Sequence, residues 1–315
     1  MMIIAKCPLR ISLVGGSTDL QAFVDKYERG SVISFPSTLY TYINVHDNHT
    51  GHYIINYSKK EEATHAKDIK NDVAREALVY FDVGPVTVTF NADILSEGSG
   101  LAASSAYTIA MVRALTIYQR INLSDFEICR IALELERRFN PLTGYQDSYG
   151  SGIGGFKRID FHKGHRPSFR YLDVAFLEQY DIYLFNTGLK RSSTTVLQDV
   201  NIDKSLALLP LVDEMENAID TGDRATFESI FNEGWEKKKA TSPLIAEHPK
   251  IKQMDALFSQ HEMVRAVKLS GAGGGGYFLL FCERGTETEF RNTFAEHGAI
   301  AKITTEAAGV VGFEI

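Results

Sequence analysis

Four stretches of this chain carry residue types and spacings suited to holding and modifying a small oxygen-rich ligand. The first is Ser96–Ala106, SEGSGLAASSA, which continues into an alanine-rich run with Tyr107, Ile109, Met111, Val112 and Leu115. Glycines and serines feeding the first turn of a helix offer backbone N–H groups without intrahelical partners, at the positive end of the helix dipole. Glycine admits phosphate oxygens close to the main chain, and serine hydroxyls add hydrogen bonds or a magnesium contact. The loop lacks the lysine of G-x-x-x-x-G-K-[ST], so it is not a Walker motif. A turn without a ligand is the competing reading.

The second stretch is Arg10 in an apolar strand followed by Gly15-Gly16-Ser17-Thr18-Asp19. It reads either as an edge-strand arginine with a helix-capping aspartate, or as a pocket in which Asp19 accepts hydrogen bonds from sugar hydroxyls. The third is Gly144-Tyr145-Gln146-Asp147, on a loop after a helix, where Asp147 is either a turn aspartate or a carboxylate held in a cleft. The fourth is Ser270–Gly276, SGAGGGG, whose excess of glycine over a hairpin's needs suggests backbone packed close to another domain or a ligand. Glu134 and Glu136 lie two apart on a helix, so only one of them can face a phosphate site. His162 and His165 have no plausible metal partners nearby and read as exposed.

The elements that must position these residues follow from the wider pattern. With 315 residues, 44% of them hydrophobic and 23% charged, two globular domains are expected. A formal charge of −7 argues against nucleic acid or an anionic membrane as the main partner. Cys7, Cys129 and Cys282 are widely spaced and read as free thiols of a cytoplasmic protein. No signal peptide or membrane span is expected. Strands are expected over 2–14, 31–35, 39–45, 53–56 and 86–91, with helices over 69–81 and after a Ser124–Glu127 capping box. The polar HKGHRPS stretch, residues 162–168, suggests a domain boundary, dividing the chain into 1–165 and 166–315. Asp181–Asn186, Val264–Leu269 and Tyr277–Phe281 read as strands of the second domain, with helices near 206–220, 224–239 and 286–297. Strands gathered before two consecutive helices indicate an α+β class.

Taken in order, CPLRISLVGGSTDL, SEGSGLAASSA, GYQD and KLSGAGGGGYFLLF resemble the GHMP kinases, the family of galactokinase, homoserine kinase, mevalonate kinase and phosphomevalonate kinase. The resemblance covers essentially the whole chain. It is strongest toward the sugar 1-kinases of the D-glycero-D-manno-heptose 7-phosphate kinase and L-fucokinase branch, on PLRISLVGGSTDL, GYQD, NTGLKRSS and WEKKK. It implies a two-domain GHMP kinase fold, with a ribosomal-protein-like α+β N-terminal domain, a ferredoxin-like C-terminal domain and ATP held between them. Gly98, Ser99, Gly100, Leu101, Ala102, Ala103, Ser104 and Ser105 would wrap the ATP phosphates. Ser104, with Ser105 as second choice, and Glu136 would hold Mg2+. Glu136 lies eleven positions before Asp147, the family's spacing of magnesium-binding glutamate and catalytic aspartate.

The resemblance further implies that Asp147 accepts the acceptor's proton beside Arg10. Gly16, Ser17, Thr18 and Asp19, with Gly144 and Gln146, would bind the sugar, and Gly273 and Gly274 would support it from the second domain. Lys190, Arg191 and Lys237 would anchor a remote phosphate. Three residues depart from the pattern. Ala102 and Ala103 stand where glycine or serine is usual, and Ser17 replaces a glycine common in the heptose kinase branch. The implied activity is ATP-dependent phosphorylation of an anomeric hydroxyl, of a heptose 7-phosphate or of a free sugar such as fucose. A sensor that binds ATP and sugar without catalysis is the remaining alternative, and a homodimer is left open.

Overall fold

The computed structural model describes residues 1–95, 98–190 and 193–315; the side chain of Ser193 is also outside the description. The first part of the chain runs β1 (Met2–Val14), α1 (Gln21–Tyr27), β2 (Arg29–Asp47), β3 (Tyr53–Asn56), β4 (Lys60–Ala63), α2 (Asp72–Tyr80) and β5 (Val86–Ala92). It continues through α3 (Ala103–Tyr118), α4 (Asp125–Phe139), α5 (Tyr145–Gly152), β6 (Lys157–His162) and β7 (Ser168–Tyr171). The second part runs β8 (Tyr180–Asn186), α6 (Ser193–Asp199), α7 (Leu209–Thr221), α8 (Arg224–Lys239) and α9 (Pro249–Ser259). It ends with β9 (Val264–Leu269), β10 (Tyr277–Glu283), α10 (Glu287–Phe294), β11 (Ile300–Ile303) and β12 (Val311–Glu314).

An eight-stranded sheet has the order β12-β1-β2-β5-β3-β4, with β6 on β2 and β7 on β6. The second sheet is antiparallel in the order β11-β8-β10-β9, so its strands in chain order are placed 4-1-3-2, the ferredoxin-like arrangement expected. The two sheets do not divide the chain at residue 165. The HKGHRPS stretch is the turn of the β6–β7 hairpin, and β12 returns at the end of the chain to pair with β1. The stretch is polar because it is an exposed hairpin tip, a composition it shares with linkers.

Residues 31–35 and 39–45 belong to one strand, β2, and not to two. Pro36 falls where β1 and β2 slip register between Pro8 and Arg10, a bulge that tolerates the missing N–H. The Ser124–Glu127 capping box forms as read: Ser124 Oγ accepts from the Glu127 N–H at 3.3 Å and Glu127 accepts from the Ser124 N–H at 2.9 Å. Helix α3 is buried on most of its circumference, between the large sheet and α4, which is why its sequence is apolar nearly all round.

GYQDSYGSG, read as a loop, is the helix α5. Its glycines weaken helix propensity, and packing overrides this. A Cβ at Gly152 would lie 2.2 Å from the Cys129 sulfur, so the helix needs that glycine to approach α4. Lys157 holds the far end of α5, donating to the carbonyls of Gly150, Ile153 and Gly155 at 3.3, 2.6 and 3.2 Å. Burial pushes its ammonium down to about 7, while the carbonyl end of a helix favours the cation.

Candidate active site

Arg10 is the centre of the site. It lies on β1 beyond the four residues that pair with β12, so at this point the strand is flanked by β2 alone, as an edge-strand arginine would be, but its guanidinium is turned into the protein. It is 3% exposed. Its Nε and Nη2 donate to Asp147 Oδ1 at 3.0 and 2.6 Å, and its Nη1 donates to the Gly100 carbonyl at 2.8 Å. One guanidinium thus ties the strand, the glycine–serine loop and the first turn of α5 together. Both bonds to Asp147 end on one oxygen, a geometry that fixes the orientation of the carboxylate.

The loop enters α3 through Ala102, at φ 61° and ψ 35°, with no side chain capping the helix. Left-handed backbone is uncommon for alanine, and this is one of the positions where glycine or serine was expected. Leu101 is buried and anchors the loop in the core. Ser104 is exposed, and Ser105 donates to Glu136 Oε2 at 2.5 Å. Glu136 is 2% exposed; burial, and secondarily the charge of Asp147, push its carboxyl up to about 7 against the pull of the two serine hydroxyls. Glu134 instead faces outward and pairs with Arg130 and Arg138. Among the described residues no three His, Cys, Asp or Glu side chains form a metal cluster. The donors present, one buried carboxylate with serine hydroxyls and Asp147 nearby, fit magnesium, which takes few protein oxygens and completes its shell with phosphates and water.

Asp19 does not cap α1, whose N-cap is Leu20. Its oxygens accept from the Ser17 N–H at 3.1 Å and from the Gln146 N–H and Nε2 at 3.1 and 3.0 Å. Burial, then the charge of Asp147, push its carboxyl up to about 6, with Gln146, Arg10 and Lys238 opposing. Gly144 has no alternative here, because a Cβ would stand 2.0 Å from Asp19 Oδ2. Among the described residues, none donates to the buried Gln146 Oε1, which leaves an acceptor for a ligand's donor. Ser17 lines the cavity at φ 82°, a conformation that explains why glycine is usual there. Thr18 is consumed structurally, its hydroxyl bonding the carbonyls of Gly15 and Ser31.

These residues border a cavity of about 510 Å³ reached by both domains, with Leu197, Lys238, Gly271 and Ala272 contributed by the second. Lys237 does not reach it. It pairs with Glu233 on the surface of α8, while Lys238, 8% exposed, faces the cavity. Helical phase is the reason: Phe227, Ile230, Phe231, Trp235 and Lys238 share the buried face. Gly273 and Gly274 pack on Ile245 and do not line the cavity. Gly276 braces the other loop, since a Cβ on it would lie 2.4 Å from the Ser99 carbonyl oxygen. Lys190 is not part of the lining. Arg191, like Ser96 and Glu97 at the head of the glycine–serine loop, lies outside the described residues.

The cavity is also lined by Tyr57, Ser58, Asn71, Val73, Phe90 and Tyr107, with the Phe90 and Tyr107 rings 5.4 Å apart. The sequence reading missed this wall. Its members lie on four separate elements and turns, and single aromatics at strand ends carry no pattern that distinguishes a pocket from a core.

Two family models match the chain: "GHMP kinases N terminal domain" over residues 65–155 and "GHMP kinases C terminal" over 211–300. Together with the fold and the ordered site, they show that the chain belongs to the GHMP kinases and is a phosphotransferase with an alcohol acceptor. The D-glycero-alpha-D-manno-heptose 7-phosphate kinase of Campylobacter jejuni is 25% identical over 303 residues, covering 88% of each chain. The L-fucokinase/L-fucose-1-P guanylyltransferase of Bacteroides fragilis is 30% identical over 225 residues, 65% of this chain and 23% of that longer enzyme. A D-glycero-D-manno-heptose 1-phosphate kinase structure from Bacteroides thetaiotaomicron superposes with a TM-score of 0.80 at 21% identity, covering 99% of both chains; at that identity it supports the fold.

Proposed function

We propose that this protein is an ATP- and magnesium-dependent sugar kinase that phosphorylates the anomeric hydroxyl of D-glycero-D-manno-heptose 7-phosphate, giving the 1,7-bisphosphate. The observation that carries the reading is the Arg10 guanidinium bridging Asp147 and the Gly100 carbonyl at one end of a cavity that reaches the uncapped start of α3. The heptose assignment draws on the Campylobacter jejuni relative and on Lys238, a cation in the cavity wall suited to a phosphorylated acceptor. A free sugar such as fucose is the second reading, favoured by the Bacteroides fragilis relative. In either case the protein acts in the cytoplasm.

In this reading the main chain of Gly98–Ser105 and the first turn of α3 bind the ATP phosphates, and the Tyr57–Tyr107 wall receives the base. Magnesium, when bound by Glu136 and Ser104 or Ser105, would neutralise phosphate charge. Asp147 takes the proton of the acceptor hydroxyl as its oxygen attacks the γ-phosphorus and ADP leaves. Arg10 orients Asp147, and its charge favours the developing alkoxide. Asp19, held by Gln146 and Ser17, presents acceptors to sugar hydroxyls.

A panel of phosphorylated and free sugars, followed by ADP release and by NMR of the product, tests the assignment. Heptose 7-phosphate turned over at its anomeric position supports it, and turnover of free sugars alone favours the second reading. Asp147→Asn should retain nucleotide binding and lose at least ~100-fold in kcat. Unchanged turnover would remove Asp147 from its role.

A further inference from the structure

Lys268 belongs to β9 of the second domain and is 7% exposed, yet its ammonium crosses to β1 of the first. It donates to the carbonyls of Ser12 and Leu13 at 3.1 and 2.9 Å, where β1 and β2 slip register and the ladder is interrupted. Among the described residues no carboxylate pairs with it. The charged groups facing it are Arg10 from β1 and Lys238 from α8, and the Phe231 ring of α8 lies 5.6 Å away. Burial and the two neighbouring cations disfavour the ammonium, so a lysine here is a costly choice if packing were its only task.

Its position in the chain gives it a second task. Arg10 lies two residues before Ser12, and the turn bearing Asp19 begins two residues after Leu13. Eight residues beyond Lys268, on the same strand and loop, Gly276 lies against the Ser99 carbonyl of the phosphate loop. One short segment of the second domain therefore grips the first at two points, one behind the acceptor residues and one behind the donor loop.

We propose that Lys268 is a positioning residue for phosphoryl transfer, fixing the β1 segment that carries Arg10 and Asp19 relative to the loop braced by Gly276. The inference rests on the donor and acceptor placement proposed above. Displacement of reacting groups by about 1 Å costs on the order of 100-fold in rate, so a pin at this point should appear in kcat.

The test compares Lys268→Met, Lys268→Arg and Asp147→Asn by steady-state kinetics with ATP and D-glycero-D-manno-heptose 7-phosphate, alongside thermal melts. Lys268→Met should lower kcat about 30- to 100-fold with the KM for ATP within about threefold, and Lys268→Arg should recover most of the loss. Should Lys268→Met not fold, Lys268→Gln, whose shorter side chain cannot span the same distance to both carbonyls, carries the same comparison. The proposal is overturned if kcat stays within about threefold of wild type, or if Lys268→Arg is as impaired as Lys268→Met in a folded protein. Loss in Asp147→Asn without loss in Lys268→Met sinks the pin and leaves the kinase site standing. Wild type that turns over neither the sugar phosphate nor a free sugar removes the proposed function and the pin together.

Discussion

The two ends of the cavity are built from different materials. At the end proposed for ATP the groups lining the cavity are the glycine-bearing loop and the uncapped start of α3, which offer main chain, together with a wall of aromatic and small polar side chains. At the end proposed for the acceptor they are charged or amide side chains, namely Arg10 of β1, Asp19 of the turn after it, Gln146 and Asp147 of α5, and Lys238 of α8. Main-chain donors recognise any phosphate of suitable shape, whereas side chains with fixed partners read one arrangement of hydroxyls. Glu136 stands between them, a buried carboxylate answering to the donor end. On the proposed reading, sugar specificity lies in side chains, where relatives of one fold can diverge without disturbing the nucleotide.

The contrast is broken most directly at Lys238. Lys238→Met should raise the KM for a phosphorylated acceptor about 10- to 100-fold, the worth of a charge-assisted hydrogen bond, and leave the KM for ATP nearly unchanged. Lys237→Met, which removes only a surface pair with Glu233, should stay within about twofold in both. Equal effects at the two lysines would refute the assignment of Lys238 to the acceptor end.

Gly276→Ala probes the donor end from behind. Its φ of 91° and the 2.4 Å approach to Ser99 leave no room for a Cβ, so the phosphate loop must shift. An increase of about tenfold in the KM for ATP, equivalent to ~1.4 kcal/mol, is expected, with the acceptor KM little changed. A larger effect on the acceptor would merge the two ends.

Glu136→Gln separates stability from function. The Glu136 carboxyl is raised from 4.5 to about 7, so the folded protein binds its proton more tightly than the unfolded chain. That contribution is complete below about pH 4.5 and is lost as pH rises through 7. The substitution should therefore stabilise the ligand-free protein at pH 8, by on the order of 1–3 kcal/mol, fading toward pH 4.5, while turnover falls. Melting curves across that range check the sign. Asp19, raised from 3.8 to about 6, adds to the same downward trend of wild-type stability with pH.

The smallest expected effect is at Ala102. Alanine at φ 61° is strained, and Ala102→Gly should stabilise the fold by about 0.5–1 kcal/mol after the entropy of glycine is subtracted. A denaturation midpoint that does not rise would show that the surrounding loop already absorbs the strain.

Much of the fold was legible in local pattern. The Ser124–Glu127 box, the α8 span and the strands flanking SGAGGGG form as read, because each depends on neighbours within a few residues. The α5 helix was not legible. Its glycines signal a loop locally, and only contact with Cys129 and Arg10 makes them an advantage. The HKGHRPS turn misled for a related reason, since a hairpin tip and a domain linker are equally polar.

In the site, the sequence by itself singled out stretches that meet at the cavity, and through helical phase it required that Glu134 and Glu136 face differently. The tertiary structure decided which residues meet. Arg10 and Asp147 are 137 positions apart, and their pairing depends on α5 packing over β1. Lys238 rather than Lys237 faces the cavity because α8 docks by Phe227, Phe231 and Trp235, a choice of face fixed by burial against the second sheet. Local sequence encodes backbone conformation through short-range sterics and hydrogen bonds. Which charged groups lose their water, and to which partners, is settled only when distant elements pack.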